Sequence, residues 1–498
     1  MRLFDHVADP SAVALDDGTR SRSFAELESR LPRLVSVLRK LGLEAGDHAA
    51  LYLHNEVAFA ELVLAAIAAG VWLTPINWHL AEEEIAYVLD DSGAKLLVVG
   101  DGTRDRIPSG NRARVLDVVE LEALVRSEPE GELDGGAVPG ATMIYTSGTS
   151  GRPKGVKRRK APTLEAAIAS HRAGGKAFGL DGSGPHLLTG PMYHAAPLLF
   201  AIYDLLNGAP LHLMPRWDER AALQAIAAHR IRHAHFVPTM FVRLLRLPEE
   251  ERRAADVSSL ALVLHGAAPI ALDVKRAMIA WWGPVLTEYW GATEGGIYTL
   301  VSSTEWLERP GTVGRGVPTF EVFAIDEAGA KLPPNEIGTL CCRHRQFPDA
   351  FEYHRDPEKT ARSFPVPGVF TVGDLGHVDE DGYVYLSDRR SNLILSGGVN
   401  IYPAEVERVL SAHPAVADVA VFGMPDAEWG ETVMAVVELV PEHQASAALE
   451  AELVAFARGS LAGFKVPRRI AFEERLPRTT AGKLYVRELR DRYRKEAS

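Results

Sequence analysis

Apolar residues recur at helical spacing from Phe24 to Leu41, and Ser23 with Glu26 three residues on forms a capping box that starts this helix. Gly46-Asp47 marks a turn, after which residues 48–53 are short and apolar enough for a buried strand. The rhythm then repeats as a helix over 58–69, a strand over 71–75, a helix over 81–90 and a strand over 95–99. Strands and helices in alternation predict βαβ units around a parallel sheet. Residues 101–140 are polar and rich in Pro and Gly, which predicts a surface excursion.

A mostly apolar run over 141–145 resumes the pattern. Farther on, helices over 197–206, 221–229 and 271–282 alternate with strands over 211–214, 235–237, 261–264 and 285–289. From Glu321 the period shortens to small strands joined by turns such as Asp326-Glu327-Ala328-Gly329 and Asp379-Glu380-Asp381-Gly382. That predicts a small β-rich subdomain ending near Leu386. After the polar stretch Ser387-Asp388-Arg389-Arg390-Ser391-Asn392 come a helix over 404–410, strands over 416–422 and 432–439, and a helix over 446–461 with Ser446 suited to its N-cap. The basic and acidic closing segment reads as a solvated helix end.

The expected architecture is therefore α/β. A large N-terminal domain of several subdomains, with parallel βαβ layers and a small β-rich subdomain, precedes a compact α+β C-terminal domain.

Composition narrows the function. The 498 residues suit about three domains or subdomains. A hydrophobic share of 47% with 24% charged residues is that of a globular protein with large cores. A formal net charge of -12 argues against a nucleic-acid binder, which would present a basic face. The two cysteines, Cys341 and Cys342, are adjacent, so no disulfide framework is expected and a reducing compartment fits. Residues 1–6 lack the apolar core of a signal peptide, and the longest apolar run, 62–73, is too short to span a bilayer. A soluble cytoplasmic protein with no integral membrane segment is the expectation.

Chemistry concentrates in six places. In 144–157 the chain reads Ile-Tyr-Thr-Ser-Gly-Thr-Ser-Gly-Arg-Pro-Lys-Gly-Val-Lys. Hydroxyls and glycines after a strand offer donors and exposed N–H groups for phosphate, and lysines add charge. The spacing is not that of a Walker A loop, because Pro153 precedes Lys154 and Gly155 follows it. An ordinary surface turn has the same composition.

Glu288-Tyr289-Trp290-Gly291-Ala292-Thr293-Glu294 closes a predicted strand, where open α/β sheets bind ligands. There Trp290 can stack on a purine, Thr293 can meet phosphate, and Glu294 is a hard oxygen ligand for Mg2+. A glycine-rich turn beside a core tryptophan is the plain alternative. His265-Gly266-Ala267-Ala268 ends another strand with side chains small enough for a flat ring, and His194 precedes an apolar helix. Asp374 in Gly373-Asp374-Leu375 can accept ribose hydroxyls, and Lys483 lies in the late polar loop 477–483.

Together and in this order, these segments resemble the adenylate-forming superfamily of acyl-CoA synthetases, firefly luciferase-like enzymes and peptide-synthetase adenylation domains, over essentially the whole chain. The resemblance implies that a carboxylate attacks the α-phosphorus of ATP, giving an acyl-adenylate and pyrophosphate. CoA then displaces AMP; passage of the acyl group to an amine or amino acid, as in an amide ligase, is the alternative. Thr146, Ser147, Gly148, Thr149 and Lys154 would hold the β- and γ-phosphates, with Mg2+ on Glu294. Lys483 would bridge carboxylate and α-phosphate as the main catalytic group, with His194, Thr146 and Glu294 beside it.

Trp290 matches the adenine-stacking aromatic, with Gly266, Ala267, Gly291 and Thr293 completing the nucleotide site, and Asp374 with Arg389 would bind ribose. His194, Val237, Ala267, Gly291 and Ile297 would line the acyl pocket. Ser396, Gly397, Gly398, Tyr402 and Lys465 would face CoA. The resemblance further implies a mobile C-terminal lid (393–498), a hinge at 388–392 and an N-terminal adenylation domain over 1–387. Ser391 stands where the family usually has Asp or Lys at the hinge, and Asn392 replaces a commonly acidic residue. The expected partners are a carboxylic acid as small-molecule substrate, with fatty, aryl and polycyclic acids all open, ATP, and CoA or an amine; a homodimer is one assembly the sequence leaves open.

Overall fold

A computed structural model describes residues 1–100, 102–146, 153–389, 392–396, 399–426, 429–478 and 484–496. The chain divides into two compact units: residues 1–266, 278–297 and 349–362 form the first, and residues 267–277, 298–348 and 363–498 the second.

Two parallel layers build the first unit. One sheet runs Arg114–Asp117, Leu96–Val99, His48–Tyr52, Trp72–Pro75 and Ala141–Thr142 in spatial order, every pair parallel. The other runs Leu286–Ala292, Leu262–His265, His233–Phe236, His186–Leu188, Leu211–Leu213 and Val13–Asp16 in parallel, with Ser21–Ser23 antiparallel at its edge. Most of the crossovers between these strands run through helices, whereas Leu96–Val99 reaches Arg114–Asp117 through a loop holding the short turn Arg104–Arg106.

Local signals set the helix ends. Helix Phe24–Lys40 starts at the Ser23–Glu26 capping box and buries Leu27, Leu31, Leu34 and Leu38 at spacings of three and four. Helix Val57–Ala69 is buried along its whole length, the outcome expected of an apolar run too short for a membrane. Among the described residues no helix is long and apolar enough to cross one.

The structure corrects two expectations. Residues 101–140 are not wholly an excursion, because Arg114–Asp117 joins the parallel sheet and Val118–Ser127 is a helix. That helix begins at an Asp117–Glu120 capping box and buries Val118, Leu121 and Val125. Its Glu122 accepts from Arg30 at 2.6 Å, and Arg30 also holds the buried Glu61 at 2.8 Å. The closing segment is likewise more than a solvated end: helix Val486–Glu496 buries Leu489 and Tyr493 against Phe422 and Met434. Val486 packs beside them, so apolar residues three and four apart dock the helix although its other positions are mostly charged.

The second unit carries an antiparallel group in the order Gly314–Gly316, Tyr383–Arg389, Asp374–Val378, Gly338–His344 and Phe320–Ile325. This is the β-rich subdomain foreseen from the turns. Toward the C-terminus a sheet of Val399–Ile401, Ile394–Ser396, Gly430–Leu439 and Val416–Asp426 adds Arg469–Glu473 in parallel. Helices Pro403–Ser411 and Ala447–Arg458 contribute Val406, Leu410, Leu449 and Leu453 to its core. Ser446 caps the second of these helices, as its sequence position suggested.

Candidate active site

The site in the first unit begins with a small antiparallel sheet. Lys154–Arg158 pairs with Ile144–Thr146 on one side and with Phe351–Tyr353 on the other. Thr146 stands opposite Lys154, and Val156 opposite Tyr353. Tyr145 anchors this sheet through its hydroxyl, which donates to Asp91 at 2.7 Å, and Tyr87 donates to the Pro153 carbonyl at 2.9 Å. The tip that would grip phosphate, with Ser147, Gly148 and Thr149, lies outside the described residues.

Beside this sheet sits the hairpin made by Leu286–Ala292 and Gly296–Ser302, with Thr293 and Glu294 in its turn. A side chain at Gly291 would put its first carbon 2.2 Å from the Gly296 carbonyl, so the hairpin closes only over glycine. Glu294 is buried, and its Oε1 accepts a hydrogen bond from the Tyr353 hydroxyl at 2.6 Å. Lys359 lies over the Tyr353 ring at 4.0 Å. Burial lowers the Lys359 pKa despite the opposing pull of Glu294 and Asp356, and Lys154 pushes it in the same direction as burial. Lys154 itself pairs with Asp356 at 3.7 Å.

Thr146, Lys154 and Glu294 are thus assembled with Tyr353, Asp356 and Lys359, three residues the sequence reading did not single out. A preorganised carboxylate beside cations is suited to a metal–polyphosphate. Among the described residues no three His, Cys, Asp or Glu side chains gather as a metal cage. A lone carboxylate matches Mg2+, which is commonly held by one or two carboxylates with phosphate and water supplying the rest.

The parallel strands end in the second cluster. In register, His235 stands beside Leu264 and Thr287, which places Val237, Gly266 and Tyr289 level one pleat on. The opposite face of the same strands packs Phe236 and His265 with Phe241 and Trp282. Trp290 is buried and alternates with Tyr289 and Gly291, so it presents to the other face. His194 precedes helix Ala195–Asn207, and its ring lies 4.6 Å from Tyr193, which meets Trp78 edge-on at 4.6 Å. Ile297 is buried just past the hairpin turn.

The second unit holds the remaining positions. Ala267 has φ +67, a left-handed conformation that is uncommon for any residue but glycine and tends to mark functional turns. Asp374 is buried at the start of its strand and stands opposite Arg389 in the antiparallel ladder. Ser396 is buried, and Tyr402 takes the N-cap position of helix Pro403–Ser411. Lys465 reaches both oxygens of Glu405 at 2.7 Å. Ser391, Gly397, Gly398 and Lys483 fall outside the described residues; an Arg478–Leu484 bridge joins the flanks of the lysine loop, and Arg478 grips Asp418 at 2.6 and 2.7 Å.

Comparison with known proteins gives the same answer by another route. Residues 4–347 match the model for AMP-binding enzyme, and residues 405–483 that for AMP-binding enzyme C-terminal domain. A feruloyl-CoA synthase from Amycolatopsis sp is 33% identical over 97% of this chain and 96% of its own. ATP-bound MatB from Rhodopseudomonas palustris superposes with a TM-score of 0.87 at 30% identity, covering 100% of this chain and 98% of that one. The amide bond synthetase McbA from Marinactinospora thermotolerans gives 0.84 at 26% identity, with 99% and 98% covered. The chain belongs to the AMP-binding enzymes, the adenylate-forming superfamily that contains the acyl-CoA ligases.

Proposed function

We propose that the protein activates a carboxylic acid with ATP and transfers the acyl group to CoA, as an AMP-forming acid–CoA ligase. The observation that carries this reading is the joining of Thr146, Lys154 and the Tyr353-bound Glu294 within one unit. Such an arrangement suits in-line attack on the α-phosphorus, a step that rests on alignment and charge neutralisation more than on covalent help from the protein.

In this reading Thr146 and Lys154, with Ser147, Gly148 and Thr149, orient the β- and γ-phosphates as the acid attacks. Mg2+ held by Glu294 would neutralise polyphosphate charge, and the Tyr353 hydroxyl fixes that carboxylate. Trp290, Gly266, Ala267, Gly291 and Thr293 receive the adenine end, while Asp374 and Arg389 take the ribose. Lys483 stabilises the charge shared by carboxylate and α-phosphate. The carboxylate oxygen bonds to phosphorus as pyrophosphate leaves; the CoA sulfur then bonds to the acyl carbon as AMP leaves. Ser396, Gly397, Gly398, Tyr402 and Lys465 serve the second step, after the C-terminal lid turns about Ser391.

The likeness to McbA supports a second reading, in which an amine takes the acyl group. Incubation of an acid panel with ATP and either CoA or amino acids separates the two. A thioester product supports the first reading, whereas an amide formed without CoA and no thioester sinks it. Acid-dependent pyrophosphate exchange should be lost in Lys483→Ala. Ser391→Pro should slow thioester formation far more than adenylation; equal loss in both would remove the hinge from that site.

A further inference from the structure

Tyr289 occupies the face of the sheet to which the acyl pocket is assigned. Strand residues two apart project to one side, so Tyr289 shares a face with Gly291, and His235 shares one with Val237. The register makes these one continuous face, with Gly266 between Val237 and Tyr289. Across Gly266 the Tyr289 ring lies flat enough that an added Cβ would come 2.9 Å from its Cζ. The ring therefore leans over the glycine toward the middle of the sheet, and its hydroxyl meets His235 Nε2 at 2.9 Å.

Both partners are buried, and Phe200 of helix Ala195–Asn207 closes on them with ring centroids 5.4 Å from Tyr289 and 5.5 Å from His235. His194 is the N-cap residue of the helix that carries Phe200, and its side chain is half-buried. The face thus runs from Gly291, which keeps partial exposure, to a filled polar–aromatic block.

We propose, resting on the ligase reading above, that the hydrogen-bonded Tyr289–His235 pair backed by Phe200 is the floor of the acyl pocket, so that the enzyme takes compact acids. The class is a short chain or a single ring bearing the carboxylate; long unbranched chains are excluded. About 7 Å of strand separates Gly291 from Tyr289, a depth that suits such acids. Passing deeper, an apolar chain would have to displace the ring and part the hydroxyl from the imidazole, leaving two buried polar groups without their bond. The small residue at Gly291 admits width near the carboxylate, while Tyr289 limits length.

The test is acid-dependent pyrophosphate release with ATP across butyrate, hexanoate, decanoate, hexadecanoate, benzoate and cinnamate. In the wild type kcat/KM should fall at least ~10-fold from the better compact acids to decanoate and further to hexadecanoate. Tyr289→Gly should raise decanoate relative to butyrate by ~10-fold or more, and Tyr289→Phe, which keeps the ring, should preserve the length limit. A wild type that prefers hexadecanoate overturns the floor whatever the variants do. So does a length profile that Tyr289→Gly leaves unchanged. Pyrophosphate release with no acid in any set overturns the ligase reading itself, a different result from release with every length.

Discussion

The Tyr353 hydroxyl donates to Glu294 at 2.6 Å, binding the strand Phe351–Tyr353 to the turn of a hairpin 59 residues earlier. Glu294 is the carboxylate to which Mg2+ is assigned, and this bond fixes one of its oxygens while leaving the other for a ligand. Hydrogen bonds to a charged group contribute ~1.5–3 kcal/mol, so Tyr353→Phe should lower kcat/KM for ATP by ~10- to 100-fold. Titrating pyrophosphate release against ATP and Mg2+ checks this. An unchanged ATP dependence with only a lowered Tm would make Tyr353 a packing residue.

Gly266→Ala addresses a close approach on the neighbouring strand. Its new methyl would fall 2.5 Å from the Tyr289 carbonyl and 2.9 Å from the ring, and the backbone atom cannot swing away. Overpacking of this kind costs ~1–3 kcal/mol. A Tm several degrees lower and weaker binding of an adenylate analogue are expected, both measurable by thermal shift. A Tm equal to that of the wild type would show that the two strands part enough to admit the methyl, so that the approach is not a rigid one.

Much of this site could be read in the sequence because its signals are local. Glu294 lies in a short run with Trp290, Gly291 and Thr293, and Lys154 follows a dense stretch of hydroxyls and glycines. The Ser23–Glu26 box is local too, and the helix it caps formed where expected. Tyr353, Asp356 and Lys359 carry no such signal. They sit in a polar stretch, and only the pairing of Phe351–Tyr353 with Lys154–Arg158 brings them to the site.

Pairing of that kind depends on tertiary register, which one sequence does not display. Helix Val118–Ser127 was hidden differently: Pro, Gly and charge in the surrounding window masked its Val118, Leu121 and Val125 spacing. The Gly266–Tyr289 approach is half legible: the run of small residues shows in the sequence, and the ring lying across it does not.

Acid should destabilise the protein through its buried imidazoles. Burial, reinforced by His186 and His194, lowers the His235 pKa from 6.5 to about 3. The unfolded chain takes up this proton near 6.5 and the folded chain only near 3, so between those values the unfolded state binds more protons. Stability therefore falls as pH drops through that window, by up to roughly 1.4 kcal/mol per pH unit for the group. Chemical denaturation at several pH values should show a steeper acid loss for the wild type than for His235→Gln. Parallel profiles would mean that His235 gains its proton without unfolding.

Lys465 offers a separation between binding and stability. Its ammonium lies 2.7 Å from each oxygen of Glu405, yet both side chains retain solvent contact, at 23% and 30% exposure. Pairs so exposed contribute ~0–1 kcal/mol, so neither Lys465→Ala nor Glu405→Gln should shift Tm much. If the lysine meets a CoA phosphate, Glu405 competes with that phosphate for the same ammonium. Lys465→Ala should then raise the KM for CoA by ~10-fold, the loss of a ~1.4 kcal/mol contact, with pyrophosphate exchange unaffected. Glu405→Gln should lower that KM by freeing the lysine. Steady-state thioester formation against CoA reads both, and a rise in KM in both variants would assign the pair to holding helix Pro403–Ser411 in place.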